Sequence, residues 1–191
     1  MRWQILLLRW PFKKTVEAMT LYLSQPNTVV MFFDEGRFGL QPSIGRCWIQ
    51  QGKTYRIQVQ PGYKFFYVYA GVSPTTGDSF ILLLPWVNTD IMNVYLQELS
   101  HAYRDKWVMI FMDQAGWHKS HTLTVPENIH IEYLPPYSPE LNPVEKLWLW
   151  LRRHGCRNHL YKSERELMDT LCTLIKNMSQ VHLKQLCNCN Y

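Results

Sequence analysis

Two apolar runs along the chain stop at an acid. "TVVMFFDE" covers residues 28–35 and "WVMIFMDQ" covers 107–114. Neither alternates between apolar and polar positions, so each predicts a strand covered on both faces. "YKFFYVYAGVSP" (63–74) and "SFILLLP" (79–85) enclose the turn residues "TTGD", which predicts a strand, a turn and a second strand. "IHIEYLP" (129–135) alternates and predicts another strand. "CWIQ" (47–50) and "YRIQVQ" (55–60), on either side of "QGK", predict two further short strands.

Three segments carry helical spacing. "NTDIMNVYLQELSHAYRD" (88–105) sets Ile91, Val94, Tyr95, Leu99 and Ala102 on one side, with Asn88 or Thr89 as cap. "PVEKLWLWLRRH" (143–154) sets Val144, Leu147, Trp148 and Leu151 in one stripe. "SERELMDTLCTLIKNMS" (163–179) opens with Ser163 and Glu166 at capping-box spacing. A hairpin-rich start followed by alternating helices and strands predicts an α/β protein, a mixed sheet flanked by helices. The 191 residues contain no internal repeat or low-complexity tract and suit one domain.

Composition narrows the function classes. A hydrophobic content of 47% excludes a disordered chain. The net charge of +5 is concentrated: no acid lies between Glu35 and Asp78, while Arg37, Arg46, Lys53, Arg56 and Lys64 do. The rest of the chain carries 15 basic and 15 acidic residues, so this stretch holds the whole excess. Basic groups interleaved with aromatics suit a nucleic-acid backbone with bases nearby. A β-rich stretch with core aromatics and solvated charges is the competing reading. The N-terminal "MRWQILLLRWPF" is broken by Arg9 and predicts neither a signal peptide nor a membrane span. Five cysteines without framework spacing point to a reducing, cytoplasmic setting. His154, Cys156, His159, Cys187 and Cys189 lack the paired spacing of a structural zinc site.

The two acid-terminated strands carry the candidate chemistry. If they are parallel neighbours, Asp34 and Asp113 emerge at one end of one sheet, where open α/β sheets place their sites. Close carboxylates raise each other's pKa unless a cation intervenes, and hard oxygen ligands suit Mg²⁺ or Mn²⁺. Glu145 is a third candidate. Pro143 suits the first helical position and Asn142 the N-cap, which leaves Glu145 beside the apolar stripe. Taken singly, a strand-end acid reads as a turn residue and a first-turn glutamate as a partner of the helix dipole.

"FFDEGRFG", "FMDQAGWH" and "LPPYSPELNPVEKLW" together resemble the catalytic domain of mariner-superfamily transposases, most closely bacterial insertion-sequence transposases of the IS-630 group. The resemblance runs in order from about Val29 to Arg153, and the proline-rich block is its most specific part. It implies a ribonuclease-H-like fold with an Asp-Asp-Glu triad of Asp34, Asp113 and Glu145. It also implies two Mg²⁺ or Mn²⁺ ions, with Asp34 bridging both and the other two acids each holding mainly one. The implied activity is cleavage of DNA at an element end and joining of the freed 3′-OH to target DNA. The implied partners are DNA and a second copy of the chain on that DNA. Charge and position add Arg37, Arg46, Lys53, Arg56, His118, Lys119 and Arg152 as candidate DNA contacts; a hydrogen-bonded structural role for His118 is the alternative. Alternation along the strand sends Glu35 to the face opposite Asp34.

Three features depart from the family pattern. Gln114 stands where the family has Asn, the interval between Asp113 and Glu145 is short, and few residues precede Asp34. The expected organisation is an N-terminal segment (1–27) without a complete helix-turn-helix, a catalytic domain (28–179) and a C-terminal tail (180–191). A separate helix-turn-helix protein of the same element would then read the DNA ends. A catalytically silent remnant that only binds DNA, or a related nuclease of the same fold, is the alternative function. The setting implied for a DNA-acting chain is the bacterial nucleoid.

Overall fold

The computed structural model describes residues 17, 20–22, 25–41, 45–46, 48–54, 56 and 63–188. Its centre is strand β1 (Thr28–Gly39), flanked on one side by β2 (Phe65–Val72) and β3 (Ser79–Leu84), and on the other by β4 (Trp107–Met112) and β5 (Ile129–Tyr133). The order is β3-β2-β1-β4-β5. β1–β2 and β2–β3 are antiparallel, whereas β1–β4 and β4–β5 are parallel. Helix α1 (Thr89–Ala102) joins β3 to β4, and α2 (Val144–Leu151), α3 (Glu164–Lys176) and α4 (Gln180–Leu186) follow β5. This is the mixed sheet flanked by helices that the pattern predicts.

The apolar runs are continuous because both faces are covered. Val30, Phe32, Met109 and Phe111 pack toward α2 and α3, with Leu147, Trp148, Leu167 and Leu171. Val29, Met31, Phe33, Val108, Ile110 and Met112 pack on the opposite side against Met92, Tyr95, Leu96 and Leu99 of α1. Successive strand residues therefore serve two separate cores.

Several boundaries differ from expectation for identifiable reasons. β1 runs four residues past Glu35 because its ladder with β2 continues to Gly39↔Phe65. The buried stripe of α1 is Met92, Tyr95, Leu96 and Leu99, and Val94 is exposed. The i, i+3, i+4, i+7 set starting at Met92 offers a broader apolar face than the one starting at Ile91. Residues 48–50 and Arg56 are not strand; Cys47, Tyr55 and 57–60 of the two expected short strands lie outside the described residues. The segment expected as a tail contains α4, with Leu183 and Cys187 buried in the α2-side core. Gly77 admits that docking: its φ is +80° and a Cβ there would fall 2.1 Å from the Gln180 carbonyl oxygen. Most of the expected N-terminal segment lies outside the described residues. Among the described residues, no helix is long and apolar enough to cross a membrane.

Asn142 ties the start of α2 to the sheet. Its Oδ1 accepts from the Val144 N–H at 3.2 Å, and its Nδ2 donates to the Phe33 carbonyl at 2.9 Å. Asn142 and Pro143 are both buried, so the helix start is anchored to the residue preceding Asp34. Asn142→Ala removes the cap and leaves a buried carbonyl without that donor. It is expected to lower the unfolding free energy by about 2–3 kcal/mol, measured from urea midpoints. Asn142→Asp keeps the cap acceptor but sets a buried carboxylate oxygen against the Phe33 carbonyl, so it should not recover the loss.

Candidate active site

The β1–β4 register sets the two aspartates level. The last parallel pair is Phe32↔Phe111, and Asp34 and Asp113 each stand two residues beyond it. Two residues is one full strand period, so both positions follow phenylalanines directed at the α2-side core. Asp34 remains paired to β2 opposite Ala70, whereas β4 ends at Met112. The acids thus lie where the parallel ladder has stopped.

Asp34 is held by a residue that the sequence pattern assigns only to the core. The buried Trp148 indole donates from Nε1 to Asp34 Oδ2 at 2.7 Å. A buried indole N–H needs an acceptor, and here the candidate site supplies it. Gly36 makes room for that ring: a Cβ there would stand 2.9 Å from Trp148 Cδ2. Burial pushes the Asp34 carboxyl up to about 7; the Trp148 bond opposes this, and the Glu35 and Glu145 charges add to it. Glu145, in the first turn of α2, is half-buried beside the apolar stripe of Val144, Leu147, Trp148 and Leu151.

Asp113 sits in a second network. Its Oδ1 accepts from the Ala115 N–H at 3.1 Å and lies 2.8 Å from His118 Nδ1. His118 Nε2 is 2.9 Å from Glu35 Oε1, which also accepts from Trp117 Nε1 at 3.1 Å. The His118 bond holds the Asp113 carboxyl below its usual value. Burial alone would lower the His118 pKa, but the bonds to Asp113 and Glu35 and their charges outweigh it and raise it to about 9. The His118 side chain is only 1% exposed, so the DNA contact considered from its position is corrected to an internal role. Glu35 does face away from the Asp34 side, as alternation requires, yet it reaches the other aspartate through His118.

Asp34, Asp113 and Glu145 all line one cavity of about 510 Å³, with Gln114, Leu134 and the proline block as its walls. Among the described residues, no group of three or more His, Cys, Asp or Glu side chains is arranged to hold a metal ion as it stands. The cavity's acidic donors are carboxylate oxygens, and one of them ionises reluctantly. That chemistry fits a hard divalent cation. Tyr137 stands at the rim, fully exposed and with φ +56°. Gln114 spans from the end of β4 to the block, donating from Nε2 to the Leu134 carbonyl at 2.9 Å and accepting from Lys119 Nζ at 2.5 Å.

The basic candidates fall into separate groups. Arg37 is exposed and stacks on Phe65 at 3.9 Å, and its carbonyl accepts from Arg152 Nη2 at 3.5 Å. Arg46, Lys53 and Arg56 are exposed on the β1–β2 connection. Gly45 is bonded to Asn158 at 3.0 and 3.2 Å, and the Arg46 carbonyl accepts from Arg157 Nη2 at 2.8 Å. Lys119 is exposed next to the Tyr133 ring. Trp150 stacks on His154 with centroids 4.3 Å apart and meets His182 edge-on, which is surface packing.

The perturbed groups give a signed pH dependence. With Asp34 raised to about 7 and His118 to about 9, the folded chain binds more protons than the unfolded chain between the ordinary and shifted values. Stability therefore falls from roughly pH 4 to 7 through Asp34 and from roughly pH 6.5 to 9 through His118. Asp113 acts in the opposite sense, and only within the acidic range. In EDTA, unfolding stability should drop by on the order of 3 kcal/mol between pH 6 and pH 9, measured by urea titration. Asp34→Asn should flatten the lower part of that curve.

A family model described as DDE superfamily endonuclease matches residues 29–168. The chain is 36% identical over 107 residues to the uncharacterized protein y4pE/y4sA of Sinorhizobium fredii (strain NBRC 101917 / NGR234), covering 56% of this chain and 79% of that protein. It is 31% identical over 155 residues to the insertion element IS630 uncharacterized 39 kDa protein of Shigella sonnei, covering 74% of this chain and 45% of that protein. Among solved structures, the Mos1 transposase paired-end complex with left transposon end superposes with a TM-score of 0.65 at 18% identity, over 92% of this chain and 56% of that one. The mariner Mos1 paired end complex with Mg superposes at 0.63 and 18% identity, over 83% and 51%. This likeness is one of fold, the ribonuclease-H-like architecture that the motifs imply. The chain spans about half the length of the insertion-element protein and of Mos1. By the match over most of its length, the chain belongs to the DDE superfamily endonucleases.

Proposed function

We propose that this chain is the catalytic part of a bacterial transposase, which cleaves a DNA phosphodiester at an element end and transfers the freed 3′-OH to target DNA. The observation that carries the reading is the shared cavity: Asp34 on β1, Asp113 just past the end of β4 and Glu145 on α2 all line it. These three carboxylates would hold two Mg²⁺ or Mn²⁺ ions. When bound, such ions supply charge stabilisation for the attacking and leaving oxygens of an in-line displacement. The chain's own part is orientation: Trp148 holds one oxygen of Asp34, His118 and the Ala115 N–H hold one oxygen of Asp113, and Asn142 sets the helix carrying Glu145.

Arg37, Arg46, Lys53, Arg56, Lys119 and Arg152 would meet DNA phosphates, although none of them lines the cavity. They position the backbone without reading sequence. The partners proposed are DNA, a second copy of the chain on that DNA, and a helix-turn-helix protein for recognising the ends. The setting proposed is the bacterial cytoplasm.

The test is nicking of duplex DNA with Mg²⁺ or Mn²⁺. Asp34→Asn, Asp113→Asn and Glu145→Gln should each lower the rate by roughly 10³-fold, equivalent to about 4 kcal/mol of transition-state stabilisation. The variants should still show folded spectra. Cleavage that persists in excess EDTA, or in the triple variant, would overturn the proposal. Salt-sensitive DNA binding without cleavage in any metal would instead mark a silent remnant.

A further inference from the structure

Past Phe32↔Phe111 no ladder pair joins β1 to β4. Asp34 and Asp113 both lie beyond that point, so some other connection must set where Asp113 stands relative to β1. The chain of contacts Glu35–His118–Asp113 is that connection. It begins on β1, directly beside Asp34, and ends on the carboxylate that follows β4.

We propose that Glu35 and His118 are positioning residues that present Asp113 to the metal through one open oxygen. The inference rests on the function proposed above. Glu35 is 6% exposed at its side chain and His118 is 1% exposed, so the bond between them is shielded from water, while Asp113 at the far end is open to solvent. Each ring nitrogen faces a carboxylate oxygen, Asp113 Oδ1 at 2.8 Å and Glu35 Oε1 at 2.9 Å. Trp117 Nε1 fixes Glu35 Oε1 from a second direction at 3.1 Å. The Tyr133 hydroxyl donates to the His118 carbonyl at 2.6 Å, and the His118 ring lies edge-on to Phe33 with centroids 5.7 Å apart. The imidazole is thus held by its ring, its backbone and its neighbours.

The consequence falls on the two Asp113 oxygens. Oδ1 takes both His118 Nδ1 and the Ala115 N–H, and among the described residues Oδ2 has no hydrogen-bond partner. Oδ2 is then the oxygen left open to a cation, and the two bonds at Oδ1 would oppose a swing that engages both oxygens. Groups behind a metal ligand commonly act like this, locking its orientation from the second layer.

Two conservative variants separate reach from charge. Glu35→Asp keeps the charge but is one methylene too short for His118. Glu35→Gln keeps the reach and the acceptor oxygen but loses the charge. Mn²⁺ affinity of the full chain, measured by calorimetry or by the free-Mn²⁺ resonance signal, should fall roughly tenfold or more in Glu35→Asp. It should stay within about threefold of wild type in Glu35→Gln. Urea midpoints confirm that each variant is folded, and DNA affinity in EDTA should be unchanged in both. The reverse order, or no change in either, overturns positioning by the hydrogen bond. If Asp113→Asn leaves Mn²⁺ binding intact, the proposed metal function fails, and the positioning role with it.

Discussion

The parallel pairing of β1 with β4 is the constraint on which the candidate site depends. Its register brings residues 34 and 113 to the same level, two past the last paired phenylalanines. A slip of one residue would send one aspartate to the α1 face and the other to the α2 face. The register is protected because both strands bury side chains in two cores at once, so a slip would misplace every residue in both. The cost of bringing acids together is thereby set against the packing of the whole sheet.

The third acid reaches the site by a different device. β5 ends at Tyr133, and the chain must turn back before α2 can start. Pro135, Pro136, Pro139 and Pro143 restrict that path, and the short helical turn at Pro139–Leu141 shortens it. Asn142 then joins helix and sheet with one side chain, capping α2 while donating to the carbonyl just before Asp34. The Glu145 backbone is therefore referenced to β1 within a few bonds. The rigid block limits the freedom lost in placing a carboxylate beside others.

What could be read from the sequence follows the range of the interactions. The two apolar runs, the α2 stripe and the alternation of strands and helices along the chain are legible because each depends on local periodicity, whereas the sheet order β3-β2-β1-β4-β5 depends on long-range pairing. The α1 stripe shares Tyr95 and Leu99 with the pattern starting at Ile91, but the sheet buries Met92 and Leu96 fully and leaves Val94 exposed. The residues that hold the acids were harder to find. Trp148 read as core, which it is, but nothing local shows that its N–H points to Asp34, 114 positions away. Alternation sends Glu35 to the opposite face, and that parity hides its path to Asp113 through His118, 83 positions away. Such bonds depend on which strand ends meet. The adjacent Asp34–Glu35 pair, and a histidine five residues beyond Asp113, are the only local signs of them.

The two aspartates are treated unequally, and the difference bears on what the site can bind. Asp34 is half-buried near two other acids; burial and the two charges together push its carboxyl up to about 7, with the Trp148 bond as its main relief. Asp113 is largely exposed and is stabilised as a carboxylate by the His118 pair. A cation entering the cavity thus meets one carboxylate already ionised and one whose charge the protein alone supports poorly. Its charge would supply the support that burial removes, drawing Asp34 into its ionised form. Binding there would also stabilise the fold, since the unfolded chain has no such cavity. The acid that costs the metal-free fold most is therefore the one that gains most from a cation.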